Sequence, residues 1–268
     1  MTGWRLELRA PLAARADLSG IVPARLAGLG PAEIGRLDVP LGTRRVALGE
    51  LFSVRSIASP VIELTGDPRL DGVGAGLDEG TILVEGTVGA HAGSGMTGGR
   101  LAIAGDAGEG LARGMRAGRV TLSGDAGPRV GGALPGAKAG MRGGVVAIAG
   151  DAGPRAGERL RGGLILVGGA AGADAAAGMI AGTLAVRGGL AGEAGVGMRR
   201  GSLILAQEPR VLATGFGDTG EHDLIALLVL ARRVPELTEL FGGPLTGRAR
   251  RHVGDRLVGG EGEILVLC

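Results

Sequence analysis

The stretch Gly80-Thr-Ile-Leu-Val-Glu-Gly86 decides the fold, because it is the first of seven segments built on one pattern. Each segment opens on a glycine and continues as a short, mainly aliphatic run. The opening glycines stand at 80, 99, 118, 144, 163, 182 and 201, so five spacings are 19 residues and one is 26. A fixed period of this length is typical of a solenoid.

Three columns of large apolar residues run through the repeats. Alternate residues of a strand face the same side, so the positions two and four after each opening glycine point into a core. The position three before it holds only Met or Leu, which we interpret as core packing rather than as a copper site. The columns are Ile82, Leu101, Val120, Val146, Ile165, Leu184 and Leu203; Val84, Ile103, Leu122, Ile148, Val167, Val186 and Leu205; and Leu77, Met96, Met115, Met141, Leu160, Met179 and Met198.

These columns predict an all-β fold. A 19-residue unit with one strand cannot bury its own apolar face, so the units must stack, with strands about 4.8 Å apart. Because parallel connections are overwhelmingly right-handed, we expect a single-stranded right-handed parallel β-helix of about seven turns. It would occupy 61–207, between an N-terminal capping segment, 1–60, and a C-terminal helical and strand tail, 208–268. The long spacing contains a seven-residue insertion within 128–140, which we expect to form a loop on one face; in repeat proteins such a face is often a contact face.

The flanking segments carry weaker signals. Strands are predicted at Trp4–Leu8, Val61–Leu64 and Glu263–Leu267, and residues 46–54 are expected to pair or pack in a similar way. A short helix is predicted at 31–37, where Pro31 suits the first turn. A second helix is predicted over 221–241, with Pro235 as an interruption.

Composition excludes several classes of protein. Glycine, at 57 of 268 residues, is about three times its usual share. A mean hydropathy of +0.29 argues against disorder, and a net charge of +2 gives little attraction for nucleic acid. No apolar run is long enough to span a membrane, and the first residues lack a signal core. With Cys268 as the single cysteine, we expect a cytoplasmic protein without internal disulfides.

Few residues suggest a catalytic or ligand-binding function. Gly215–Gly220 has the dinucleotide-binding spacing GxGxxG before a predicted helix, but no βαβ unit surrounds it. His91, His222 and His252 form no ligand motif and are expected at the surface or at an interface. Asp106, Asp125 and Asp151 recur in Gly-Asp-Ala-Gly and are expected at corners, where their side chains would accept local hydrogen bonds. We therefore assign no catalytic and no metal-binding residue.

One set of charged residues follows the Met and Leu column. Stacked turns would place these arginines along one edge, where like charges repel each other unless an anion neutralises them. The edge is either a solvated face, a site for an anionic ligand, or a contact with an acidic partner. We call Arg116, Arg142, Arg161, Arg199 and Arg200 the arginine edge.

The repeat pattern Met-x-x-Gly-x-ϕ-x-ϕ-x-Gly-Asp-Ala-Gly, where ϕ is a large aliphatic residue, resembles two known β-helical families. One is the C-terminal domain of the large subunit of glutamate synthase. The closer one is the C subunit of formylmethanofuran dehydrogenase, which has a relative in the bacterial formyltransferase/hydrolase complex. The resemblance covers about 60–268, is strongest over 77–205, and includes the tail 251–265.

The resemblance implies a non-catalytic structural subunit in one-carbon metabolism. The Arg-rich, Lys-poor composition favours the bacterial complex, which moves a formyl group from tetrahydromethanopterin to a methanofuran-type carrier and releases formate. The implied partners are an amidohydrolase-like subunit, a formyltransferase subunit and a third accessory subunit, with no nucleic acid and no membrane. Carriers of this family bear several glutamates, so the arginine edge would contact that carrier or another subunit. The archaeal-type dehydrogenase and a stand-alone relative of the glutamate synthase domain remain alternatives.

Overall fold

The computed structural model describes residues 3–268 and is mostly β, with a few short helices. Its strands form one mixed sheet of 13 strands and a second sheet of four. The strands are β1 Gly3–Leu8, β2 Ala16–Asp17, β3 Asp38–Leu41, β4 Arg44–Ala47, β5 Phe52–Ile57, β6 Ile62–Asp67, β7 Leu70–Asp71, β8 Thr81–Val88, β9 Thr97–Ile103, β10 Ala117–Leu122, β11 Val145–Ile148, β12 Leu164–Val167, β13 Thr183–Val186, β14 Ser202–Leu205, β15 Gly217–Asp223, β16 Arg248–Gly254 and β17 Gly262–Leu267. The helices are α1 Pro23–Leu26, α2 Pro31–Gly35, α3 Leu48–Leu51, α4 Ile225–Arg233 and α5 Pro235–Phe241.

Each of the seven repeats contributes one strand, β8 to β14, to a parallel ladder in the large sheet. Equivalent positions pair with each other, as Ile82 does with Leu101 and Leu184 with Leu203. The register also continues across the 26-residue spacing, where Val120 pairs with Val146. The inserted residues therefore lie outside the ladder and do not change its register.

Neighbouring repeats also pair at a second place, beyond the strand of each repeat. Isolated parallel bridges join Val88 to Ala107 and continue through Ala126, Ala152 and Ala171 to Leu190. The predicted inward columns, including the Met and Leu column, are buried at every repeat. The interpretation of the methionines as core is thus confirmed.

The opening glycines are required by the backbone. All seven have positive φ, as at Gly144 with 89°, a conformation that side chains disfavour. A second glycine column permits close stacking, because a Cβ on Gly188 would lie within 2.6 Å of the Gly169 carbonyl oxygen. Glycine thus serves both the turn before each strand and the approach between repeats.

The N-terminal residues extend the large sheet at one end. β6 pairs in parallel with β8 and adds a rung before the first repeat, and β1 lies between β6 and the antiparallel β5. The predicted strands β1 and β6 and the helix α2 are confirmed. Of residues 46–54, for which pairing or packing was expected, the two ends pair as parts of β4 and β5, and α3 lies between them.

The C-terminal residues add a rung at the other end. β17 pairs in parallel with β14, with Leu203 opposite Ile264. The chain therefore returns to the ladder after the intervening residues 206–261. The helix predicted over 221–241 begins too early, because residues 217–223 form β15, which pairs with β16. Gly215–Gly220 accordingly leads into a strand and not into a helix. Pro235 separates α4 from α5 as expected.

The helices α4 and α5 cover the outer face of the ladder over its last rungs. Leu227 of α4 and Leu237 of α5 are buried against Leu166, Ile204 and Leu265, which point away from the main core. This second apolar cluster fixes the tail to the sheet. No helix within residues 3–268 is long and apolar enough to cross a membrane.

Candidate functional site

The arginine edge begins as three arginines on consecutive rungs. The backbone N–H of Arg142 donates to the Met115 carbonyl oxygen at 2.7 Å, and that of Arg161 donates to Met141 at 2.9 Å. Arg116, Arg142 and Arg161 therefore occupy equivalent positions on neighbouring rungs, separated by about one strand spacing. We call these three residues the arginine trio.

The trio forms because each arginine directly follows a buried residue of the Met and Leu column. The buried residue points into the core, and the next side chain points to solvent, so all three arginines are exposed. None of the three guanidinium groups lies within ion-pair distance of a carboxylate in residues 3–268, whereas Arg119 nearby has a partner in Glu236. The trio is thus an uncompensated row of positive charge.

Arg199 and Arg200 are separated from the trio. The intervening rung carries Ile180, whose backbone N–H donates to the Leu160 carbonyl oxygen. Arg200 approaches Glu261 at 4.0 Å, which partly neutralises that end. The structure thus brings three of the five predicted residues together and leaves two at the end of the repeats. The interruption was readable in the sequence, because Ile180 occupies the arginine position of its repeat.

The aspartate column links neighbouring repeats. One carboxylate oxygen of Asp106 accepts a hydrogen bond from the Asp125 N–H at 2.8 Å. Asp125 accepts in the same way from Asp151, and Asp151 from Ala170, both at 2.7 Å. The expectation of local bonds was wrong, because each carboxylate binds the backbone of the next repeat. These residues are structural.

The three histidines lie apart from one another. His91 and His222 are exposed as expected, but the expectation was wrong for His252, which is only 2% exposed. Its strand pairs with β17, where it is opposite the buried Ile264, so its ring faces the interior. Its Nε2 is 3.3 Å from Glu208 Oε1 and its Nδ1 is 3.9 Å from Asp218 Oδ1. Neither ring nitrogen makes a hydrogen bond with residues 3–268.

Ion pairs tie β15 to β16. Arg250 donates through Nε to Asp218 Oδ2 at 3.1 Å, and Arg248 donates to Glu221 at 2.7 Å. The hydrogen bond from Arg250, followed by one from the Gly220 backbone, lowers the pKa of Asp218 to about 2. This carboxylate therefore stays ionised and holds the hairpin rather than exchanging protons near neutral pH. No group of three His, Cys, Asp or Glu side chains within residues 3–268 is arranged to hold a metal ion.

The insertion forms a compact loop beside the repeats. The Arg113 guanidinium donates through Nε to the Ala133 carbonyl oxygen at 2.8 Å, and Arg129 pairs with Glu109 at 2.7 Å. Lys138 and Leu134 of the loop line an open surface groove of about 350 Å³ together with Glu158 of the next repeat. The loop is held in place by contacts within the chain.

The fold and the exposed basic edge define a class of protein: a stacked-repeat protein whose recurrent positions serve packing and whose surface carries a row of positive charge. No protein-family model matches the chain. A curated relative, the C subunit of the formyltransferase/hydrolase complex Fhc of Methylorubrum extorquens, is 42% identical over 85 residues. That segment is 31% of this chain and spans 32% of the relative's length.

A solved structure matches the chain throughout. A chain in the crystal structure of the formyltransferase/hydrolase complex FhcABCD from Methylorubrum extorquens, in complex with methylofuran, is 41% identical with a TM-score of 0.90. The match covers 98% of this chain and 99% of that one. The chain therefore belongs to the family of C subunits of the formyltransferase/hydrolase complex.

Proposed function

We propose that this chain is a non-catalytic structural subunit of a formyltransferase/hydrolase complex in one-carbon metabolism. The complex would transfer a formyl group between tetrahydromethanopterin and a methanofuran-type carrier and release formate, as the sequence resemblance implies. The observation that carries the proposal is the agreement with a chain of FhcABCD over 98% of the residues at a TM-score of 0.90. Its partners would be the three other kinds of subunit, and its location the cytoplasm.

The scaffold role is supported by how the repeats use their residues. The inward positions are filled with aliphatic side chains and methionine, and the recurrent aspartates bind backbone N–H groups of the next repeat. We infer that the ladder and the second row of bridges form the coil of a right-handed parallel β-helix over 61–207. Residues 1–60 would cap one end, and 208–268 the other.

The arginine trio is the proposed contact for the anionic part of the carrier. Guanidinium groups bind carboxylates through charge-assisted, often bidentate hydrogen bonds, and a row of three suits a ligand with several carboxylates. Each exposed contact is worth about 0.2–1 kcal/mol, so the trio would hold such a tail only collectively. The related FhcABCD structure contains methylofuran, which supports a carrier of this class. Arg199 and Arg200, which Ile180 separates from the trio, would instead serve a contact with another subunit.

The scaffold role can be tested by leaving the chain out. The four subunits are co-expressed, and formate release is compared with and without this chain. We expect the complete complex to turn over and the purified single chain to show no formyl transfer, no formate release and no bound metal by elemental analysis. Turnover by the single chain would refute the non-catalytic role.

The carrier contact is tested by replacing Arg116, Arg142 and Arg161 with Gln, which removes charge and keeps bulk. We expect normal assembly and a higher KM for the carrier, with the difference from wild type largest at low salt, because salt screens exposed charges. The matched control replaces Arg210, Arg232 and Arg233, three exposed arginines without an ion pair in residues 3–268. If assembly weakens instead, the trio belongs to an interface with another subunit. If the kinetics are unchanged at every salt concentration, the trio is a solvated face.

A further inference from the structure

Two large apolar side chains stand out from the surface at the end of the repeats. Leu257 is 76% exposed and Val258 is 52% exposed, and both lie in a 3-10 turn over Arg256–Val258. We call this pair the apolar tip. Val196, also exposed, precedes Gly197, whose N–H binds the same loop. The segment that carries Val196 therefore adjoins the loop that carries the apolar tip.

The apolar tip is held rigidly rather than carried on a loose loop. The carboxylate of Asp255, which is buried, accepts hydrogen bonds from the Gly197 N–H at 3.0 Å and the Leu257 N–H at 2.9 Å. The Asp255 N–H donates to the Met198 carbonyl oxygen at 3.0 Å, and the Gly260 N–H donates to the Asp255 carbonyl oxygen at 2.7 Å. Since these bonds already order the loop, binding through it would cost little conformational entropy.

Arg256 lies in the tip loop, and Arg199 and Arg200 lie on the segment bonded to that loop; we call these three arginines the basic rim. The Glu261 N–H donates to the Arg199 carbonyl oxygen at 2.7 Å, which places the loop beside Arg199 and Arg200. Arg256 within the turn is exposed as well, and Glu261 is the one carboxylate that pairs with this rim among residues 3–268. Exposed apolar side chains together with arginines on the same and the adjoining segment have the composition of a protein interface, where arginine is enriched and apolar anchors enter pockets.

We propose that the apolar tip is a docking anchor for another protein subunit of the complex. The partner surface would present an apolar pocket for Leu257 and Val258, surrounded by carboxylates that face Arg199, Arg200 and Arg256. Charge complementarity favours this occupant, because three arginines stand against one glutamate at the rim. The proposal rests on the proposed function for the existence of the partner, while the surface and its chemistry come from this chain.

The test compares three forms of the full chain for binding to a purified assembly of the other subunits. The tip variant is Leu257→Ser with Val258→Ser. The matched control is Ile225→Ser with Val229→Ser, because these residues are 75% and 43% exposed and lie on α4 instead. Calorimetry gives Kd, and analytical ultracentrifugation of each chain alone gives its oligomeric state. We expect Kd to rise about tenfold or more for the tip variant and to stay within about twofold for the control.

The outcomes separate the two proposals. If wild type does not bind the other subunits, the proposed function fails, and the anchor fails with it. If wild type and the tip variant bind equally, only the anchor is overturned. If the wild-type chain alone forms a dimer and the tip variant is a monomer, the tip joins two copies of this chain. The proposal is then also overturned. Val196→Ser, on a separate segment, should weaken binding in the same direction and guards against a folding defect in the turn.

Discussion

The guanidinium group of Arg119, on the outer face of β10, forms an ion pair with the carboxylate of Glu236 in α5. The pair joins a strand from the middle of the ladder to a helix more than 100 residues later in the chain. The backbone N–H of Glu236 and the Arg119 hydrogen bond together lower the pKa of the Glu236 carboxyl. The tail helices are thus held by an ionised contact in addition to the apolar cluster of Leu227 and Leu237.

Replacing Arg119 with Gln should loosen the tail and leave the ladder intact. The partly exposed pair is worth about 0.2–1 kcal/mol, too little to unfold the protein. We expect faster hydrogen exchange in α4 and α5 with unchanged exchange in β8–β10. The control is Arg100→Gln on β9, which occupies the same row one rung away and has no ion pair in residues 3–268. Equal exchange in the two variants would contradict a role for the pair.

Replacing Val146 with Asp should strongly destabilise the protein. Val146 is buried in the middle of the inward column, and an unpaired carboxylate there would cost about 3–5 kcal/mol. The control is Thr121→Asp, on the outer face of the neighbouring strand, where the new charge reaches solvent. Denaturant unfolding measures both. A folded Val146→Asp protein with the melting temperature of wild type would refute the register of the ladder.

Replacing Gly188 with Ala should destabilise the stack through a steric clash. The added methyl group would lie within 2.6 Å of the Gly169 carbonyl oxygen, so neighbouring repeats would have to separate. We expect a cost of about 1–3 kcal/mol in the free energy of unfolding. Gly243→Ala is the matched control, because its added methyl group would have no atom of another segment within 4 Å, and it should be tolerated. A neutral Gly188→Ala variant would show that the repeats stack less closely.

The hairpin of β15 and β16 should weaken in acid as Asp218 is protonated. Because the pKa falls from 3.8 to about 2 on folding, the ionised carboxylate stabilises the folded state. The stability difference between wild type and Asp218→Asn should be full above about pH 4 and vanish as the pH falls through about 2. Melting temperatures of both proteins between about pH 2 and 7 test this. A difference that persists unchanged at the acid end of this range would contradict the assigned pKa.

The repeat, its register and its core followed from the sequence because they depend on local periodicity. The residues two and four after each opening glycine could be placed in the core from their spacing alone, and so could the methionines. The five residues of the arginine edge were identified in the same way, since position within the repeat determines which residues stack, and the structure brings three of them together. The same logic would have revealed the break at Ile180.

The flanking segments could not be placed from local signals. Residues 221–223 have the acidic character of a helix start, yet they pair with β16, because the cross-strand arginines Arg248 and Arg250 are supplied from elsewhere in the chain. His252 carried no sequence signal of burial, since its position depends on pairing with β17. The apolar tip was likewise invisible, because Leu257 and Val258 look like ordinary core residues until the fold places them outside.

The sequence by itself determined the stacking unit of this protein: its length, its buried columns and the row of charge on one edge. Periodic spacing suffices for these features because each repeat packs against repeats that have the same residue pattern. Only the tertiary structure decided how the chain closes its ends, with β17 returning to the ladder and α4 and α5 covering its outer face. Those contacts join residues distant in sequence and obey no period, so their partners emerge only once the whole chain has folded.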